Sequence, residues 1–192
     1  MEASKTKGLI VVLSAPSGGG KTTLVHELLS RISHSKRGIT MTTRPPRKTE
    51  IDKQDYLFVN DDEFKALIEK KGFAEWAKVH SYYYGIPNDI IDKALENGQT
   101  LFLTIDVQGA ETIKKHYPQA LTIFMNPPDF DVLETRLRKR GTETDEQIRS
   151  RLEIARREIA RSSEFDFVVL NDSLERAALE IQSIITQAQQ QA

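Results

Sequence analysis

The stretch Gly8-Leu-Ile-Val-Val-Leu-Ser-Ala-Pro-Ser-Gly-Gly-Gly-Lys-Thr22 decides how this chain is read. Its first half, 8–14, is a short unbroken apolar run rich in β-branched residues, the pattern of a strand buried on both faces of a parallel sheet. Its second half, Ala15-Pro-Ser-Gly-Gly-Gly-Lys-Thr22, fits the phosphate-binding pattern G-x-x-x-x-G-K-[ST] at every fixed position except the first, where alanine stands for glycine. A helix is expected over 21–32, with Leu24, Leu28 and Ile32 on one side at helical spacing. Strand, loop and helix in this order let successive backbone N–H groups and the helix N-terminus converge on phosphate oxygens. Gly18, Gly19 and Gly20 let the backbone approach an anion with no Cβ in the way. Lys21 is then expected to reach the β and γ phosphates of a nucleoside triphosphate, and the Thr22 hydroxyl to bind Mg²⁺. Ala15 suits the loop if it keeps a negative φ. The competing reading is an ordinary glycine-rich turn that happens to precede Lys-Thr.

Outward from this unit the alternation continues. Strands are expected over 100–105, 120–125 and 167–170, and helices over 109–116, 129–139 and from 173 to about 188. The last helix carries Leu174, Ala178, Ile181 and Ile185 as its core stripe. Such alternation argues for an α/β fold built on a doubly wound parallel sheet. Two stretches break the rhythm. Between about 39 and 89, Tyr56-Leu-Phe-Val59 and Phe73-Ala-Glu-Trp-Ala-Lys-Val79 flank a helix starting near Asp61, which suggests a small inserted mixed sheet. Between about 131 and 161 the chain is helical and arginine-rich, broken at Gly141-Thr142, with Ile148, Leu152, Ala155 and Ile159 as a core stripe. Each insertion follows a core strand, and α/β sheets bind ligands beyond the carboxyl ends of their strands. One domain over 7–188 is expected, with core segments 7–38, 90–130 and 162–188, an insertion over 39–89 and a lid over 131–161. The Gln-rich tail, 187–192, is expected to fray.

Composition narrows the class. With 39% hydrophobic and 29% charged residues, the 192-residue chain has ordinary globular composition and length for one substantial core. A net charge of -1 gives no reason to expect nucleic acid or an anionic membrane as partner. The absence of cysteine excludes disulfides, thiolate metal sites and cysteine nucleophiles. The apolar run 9–13 is too short for a signal or a membrane span, so a soluble cytoplasmic protein is expected. His26, His34, His80 and His116 lack zinc-site spacing and are assigned no role.

Six ordered blocks together resemble guanylate kinase, over about 8–184. Besides the loop from Ser14 to Thr22, they are Thr42-Thr-Arg-Pro-Pro-Arg-Lys-Thr-Glu50 with Asp55-Tyr56, then Phe73-Ala-Glu-Trp-Ala77 and Tyr83-Tyr-Gly85, and finally Ile105-Asp-Val-Gln-Gly109 and Arg140-Gly-Thr-Glu143. The resemblance implies phosphoryl transfer from ATP to GMP with Mg²⁺, and leaves dGMP open as a second acceptor.

It also implies site residues. Ala15, Pro16, Ser17, Gly18, Gly19, Gly20, Lys21, Thr22 and Thr23 would hold ATP, joined by Arg136 and Arg140, while Lys21, Arg44, Arg140 and Arg151 would surround the transfer. Arg44, Arg47, Tyr56 and Tyr84 would hold the GMP phosphate, since guanidinium forks and phenol hydroxyls suit a dianion; Glu50 belongs to the same segment. Glu75 would select guanine, accepting from N1–H and the 2-amino group, with Thr40 near O6 and Asp106 adding an acceptor. Read without the family, Arg44 and Arg47 are solvated loop arginines and Glu75 is an exposed strand residue beside Trp76. Arg136, Arg140 and Arg151 then sit on the outer faces of lid helices, and Asp106 either faces Mg²⁺ or substrate at the end of its strand or caps the next helix.

Three positions depart from the family pattern. Ala15 replaces a glycine, Ile86 stands where a hydroxyl residue near O6 is usual, and Thr104 stands where a second aspartate is usual. Two rival functions remain at this stage. One is a guanylate-kinase-like module that binds a protein partner, against which the intact Gly20-Lys21-Thr22 argues. The other is a P-loop kinase for another phosphorylated acceptor, distinguished by whether Glu75 reads a base.

Overall fold

The computed structural model describes residues 7–48, 50–79, 81–139 and 144–190. In chain order, β1 (Leu9–Ser14) leads through the glycine-rich loop to α1 (Lys21–Arg31). Then come β2 (Ser35–Arg37), β3 (Met41–Thr42), β4 (Leu57–Phe58), α2 (Asp61–Glu69), β5 (Phe73–Val79) and β6 (Tyr82–Pro87). They are followed by α3 (Asn88–Glu96), β7 (Thr100–Thr104), α4 (Val107–His116), β8 (Leu121–Asn126) and α5 (Phe130–Lys139). The chain closes with α6 (Asp145–Ala160), a 3-10 turn at Ser162–Glu164, β9 (Phe167–Leu170) and α7 (Leu174–Gln190).

Among the described residues the strands form two sheets. The larger has the order β2-β7-β1-β8-β9, every pairing parallel. The smaller has the order β4-β3-β6-β5, with β3 and β4 parallel and the other pairs antiparallel. This is the α/β architecture the alternation argues for. Since β1 lies between β7 and β8, the loop after it opens at the carboxyl ends of the central strands, where chain direction across the sheet reverses.

The apolar run of β1 is explained by what covers each face. Val11 and Leu13 pack with Leu24, Val25 and Leu28 of α1 and with Ala177, Ala178, Ile181 and Ile185 of α7. Ile10 and Val12 point the other way, onto Ile91 and Ala94 of α3 and Ala110 and Ile113 of α4. Successive side chains of a strand alternate sides, so only a strand sandwiched between helix layers can be apolar throughout.

Several details differ from the sequence reading. Leu174 is 40% exposed, and Ala177 joins the buried stripe of α7 instead. On α6, Ile148 and Ala155 are buried while Leu152 and Ile159 are only half-buried. α7 continues to Gln190 rather than ending near 188. β2, β3 and β6 have no signal of their own: two are only two or three residues long, and pairing with distant strands makes all three. The Gly141-Thr142 break and His80 lie outside the described residues. Among the described residues no helix is long and apolar enough to cross a membrane.

Candidate active site

The loop between β1 and α1 is shaped by its glycines. Gly18 and Gly20 take φ of 85° and 83°, a left-handed backbone that disfavours any side chain. A Cβ at Gly18 would also press on Leu133 and Leu137 of α5, which roof the loop. Ala15 keeps out of the positive-φ region and is fully buried, so the first departure is accommodated. It makes Gly19 obligatory, since a Cβ there would stand 2.8 Å from the Ala15 Cβ. Pro16 is buried, while Ser17, Gly18 and Gly20 are partly open to solvent.

Lys21 opens α1 and donates its Nζ to the Ala15 carbonyl, lying across the loop's own entrance. Thr22 and Thr23 are exposed in the first turn of α1, which has no acidic residue. From the lid side, Arg151 Nη1 donates to Ser17 Oγ at 3.1 Å. The structure therefore sets Arg151 of α6 on the loop rather than on an outer, solvated face. Arg136 is half-buried in the last turn of α5, next to the Leu137 that packs on Gly18. Arg140 lies outside the described residues. Sequence reasoning missed Asn171: buried just past β9, it donates Nδ2 to the Gly19 carbonyl at 2.7 Å and fixes the loop from behind. Its only sequence signal is its place after the last core strand.

A second feature lies between the smaller sheet and the carboxyl end of β7. A cavity of about 220 Å³ is lined by Thr40, Tyr56, Glu75, Ala77, Val79, Tyr84, Thr104, Ile105 and Asp106. Five of these were singled out from sequence as acceptor-binding, namely Thr40, Tyr56, Glu75, Tyr84 and Asp106. Ala77, Val79 and Ile105 were not, because a strand's pocket-facing apolar residues look like any others.

Glu75 is 8% exposed while its neighbour Trp76 is 45% exposed, so the alternation of β5 turns the glutamate inward and the tryptophan out. Its Oε2 lies close to Gly109, where a Cβ would come within 3.2 Å. Asp106 caps the next helix and also lines the cavity. Its Oδ1 accepts from Gly109 N at 2.8 Å at the start of α4.

At the rim, Arg44 is held by Glu50 in a two-pronged pair, Nη1 to Oε2 at 2.9 Å and Nη2 to Oε1 at 2.8 Å. Its guanidinium lies over the Tyr56 ring, 5.3 Å from the centroid, with Tyr84 beside it. Glu50 raises the guanidinium pKa above its ordinary value, and Arg44 in turn holds the Glu50 carboxyl below the usual carboxylate range. Arg47 contributes its backbone N–H to Glu50 Oε2 at 2.8 Å, but its side chain is 72% exposed. Of the remaining departures, Thr104 lines the cavity next to Asp106, whereas Ile86 is fully buried in the core and lines no part of it.

Burial, and then the charge of Asp106, push the Glu75 carboxyl up to about 7 from its ordinary 4.5. The folded state thus binds the proton more tightly than the unfolded chain. The stabilisation from this group is complete below pH 4.5 and is lost as pH rises through 7. Glu75→Gln removes the effect. Urea unfolding from pH 5 to pH 8 is expected to show wild type losing of order 3 kcal/mol relative to the variant. A constant difference would mean that Glu75 is not held in a desolvated site.

Comparison with known proteins agrees along the whole chain. The guanylate kinase family model matches residues 7–188. The chain is 42% identical over 181 residues to the guanylate kinase of Caldanaerobacter subterraneus subsp. tengcongensis, covering 94% of this chain and 88% of that one. With the guanylate kinase of Myxococcus xanthus it shares 45% identity over 179 residues, covering 93% and 86%. The crystal structure of guanylate kinase from Anaplasma phagocytophilum superposes with a TM-score of 0.78 at 30% identity, covering 96% of this chain and 87% of that one. A shikimate kinase from Bacteroides thetaiotaomicron, at 16% identity and a TM-score of 0.51, shares the fold alone. A match that runs unbroken from the phosphate loop through the smaller sheet to the last helix has one reading: the chain belongs to the guanylate kinase family.

Proposed function

We propose that this chain carries out the guanylate kinase reaction, ATP + GMP to ADP + GDP, with the loop as donor site and the cavity of the smaller sheet as acceptor site. The observation that carries the assignment of sites is the inward-facing Glu75, an acceptor buried in a cavity whose lining includes Asp106, just past the carboxyl end of β7. Within a single domain over 7–188, residues 39–89 serve as the GMP-binding insertion and 131–161 as the lid.

Guanine fits the cavity chemically. The Glu75 carboxylate accepts from N1–H and the 2-amino group, Asp106 adds an acceptor, and Thr40 offers its hydroxyl to O6. Glu50 holds Arg44 flat against Tyr56, so the guanidinium is oriented before GMP arrives. Arg44, Arg47, Tyr56 and Tyr84 then receive the GMP phosphate. The attacking group is a phosphate oxygen already ionised near neutral pH, so no general base is required. On the donor side, Lys21 leaves the Ala15 carbonyl for the β and γ phosphates, and Arg136, Arg140 and Arg151 close over them from the lid. Mg²⁺ bound with ATP would supply charge neutralisation on the donor side. The exposed hydroxyl of Thr22, at the N-terminus of α1, suits such an ion.

Two measurements test this. ADP production by the purified protein with ATP and Mg²⁺ is compared for GMP, dGMP, AMP, UMP and no acceptor, and a strong dependence on GMP is expected. If GMP binds but no monophosphate raises ADP output, the fold serves here as a binding module. Arg44→Lys keeps the charge but loses the fork, and the KM for GMP is expected to rise roughly 10- to 100-fold. An unchanged KM would remove Arg44 from the phosphate site.

A further inference from the structure

The lid helix touches the loop at two places on one face. Arg151 Nη1 meets Ser17 Oγ at 3.1 Å, and two turns later the Glu158 carboxylate accepts from the Ser17 backbone N–H. Ala155, between them on the same face, is fully buried. The bond to Ser17 accounts for only part of the carboxylate. Glu158 Oε2 is shielded from solvent and has no hydrogen-bond partner among the described residues. It stands in the field of two groups of the site, Lys21, which favours its negative charge, and Asp106, which opposes it. A buried carboxylate oxygen without a donor is costly, and folded proteins keep few of them without a use.

The surroundings indicate what donor is missing. The first turn of α1 carries no acidic residue, and Thr104 lines the cavity of the smaller sheet next to Asp106. On the sheet side, residues 104–106 supply a single carboxylate, that of Asp106. Glu158 approaches the same loop from the lid side with an acceptor to spare. A hydrated cation arriving with the nucleotide would bring its own donors.

We propose that Glu158 is a positioning residue for the metal nucleotide: when ATP occupies the loop, Glu158 Oε2 accepts a hydrogen bond from the hydration shell of the accompanying Mg²⁺. The proposal rests on the reading of the loop as the ATP site. It makes the lid helix responsive to the metal as well as to the phosphates, because Glu158 and Arg151 lie on the same face of α6. Arg151 favours the phosphate charge whether or not metal is present. Glu158 opposes bare phosphates as a like charge and favours them only when the cation stands between.

The test compares ADP affinity in excess Mg²⁺ and in EDTA, by calorimetric titration of wild type, Glu158→Gln and Glu158→Asp. In wild type, Mg²⁺ is expected to tighten ADP binding. In Glu158→Gln this enhancement is expected to shrink about tenfold, through weaker binding with Mg²⁺ and tighter binding without it. Glu158→Asp keeps the charge on a shorter stem and is expected to lose part of the enhancement; it carries the comparison if the glutamine variant does not fold. A variant that changes ADP affinity by the same factor in both buffers would overturn the proposal and leave Glu158 as a strut between α6 and Ser17. Wild type that binds ADP in neither buffer would instead refute the loop as the nucleotide site.

Discussion

Lys21→Met is expected to lower kcat for GMP phosphorylation by about 10³-fold or more while leaving the fold intact. Lys21 is the first residue of α1, and its Nζ donates to the Ala15 carbonyl, so the ammonium is held at the loop. Charge builds on the phosphoryl oxygens during transfer, and a fixed cation in a closed, water-poor site opposes that build-up at no cost in reorganisation. Methionine keeps most of the apolar stem and removes the charge. The core is unaffected, because α1 is anchored by Leu24, Val25 and Leu28, one to two turns further along the helix. Steady-state ADP production and a thermal unfolding curve separate the two effects. Turnover near the wild-type value would sink the assignment of the loop, and loss of the cooperative transition would show that Lys21 acts on the fold instead.

Glu75→Gln is expected to lower kcat/KM for GMP by on the order of 10³-fold and to bring GMP and AMP closer by about 10⁴-fold in their ratio. A carboxylate presents two acceptors to the two donors of guanine, N1–H and the 2-amino group. The amide presents one acceptor and one donor, so a donor meets a donor inside a cavity where neither can turn to water. Adenine has an unprotonated N1 at the same place, and the new amide N–H can donate to it. Guanine stabilises the charged form of a carboxyl that stands at about 7 in the free protein. GMP binding to wild type near pH 7 is therefore expected to release more protons than binding to the variant, a difference that calorimetry in two buffers resolves. An unchanged ratio of GMP to AMP would mean that selection resides elsewhere, with Thr40 and Asp106 as the next residues to examine.

Sequence alone determined the elements whose physics is local. β1, the glycine-rich loop and α1 form one continuous segment, and an apolar run, positive-φ glycines and a Lys-Thr helix start can each be read from near neighbours. The same holds for α2, where Asn60 and Glu63 cap each other across one turn, and for α6, where Thr144 and Gln147 do so. The residue types around the acceptor cavity were also legible, once the ordered family blocks were in view.

What the tertiary structure decided depends on groups far apart in the chain. Whether Glu75 faced solvent or a cavity was open from periodicity, since either phase of β5 is possible until β6 and α4 pack against it. Its raised pKa follows from that burial and from Asp106, 31 positions further on. Asn171 reaches Gly19 across 152 positions, and Arg151 reaches Ser17 across 134. The pairing of Arg44 with Glu50 is closer in sequence, but its geometry depends on the rings of Tyr56 and Phe58. The orphaned oxygen of Glu158 is the clearest case. Its helix reads as amphipathic and arginine-rich, and nothing local distinguishes that glutamate from its solvated neighbours. Hydrogen bonding and desolvation are sums over every atom within a few ångströms, and only the folded chain specifies which atoms those are.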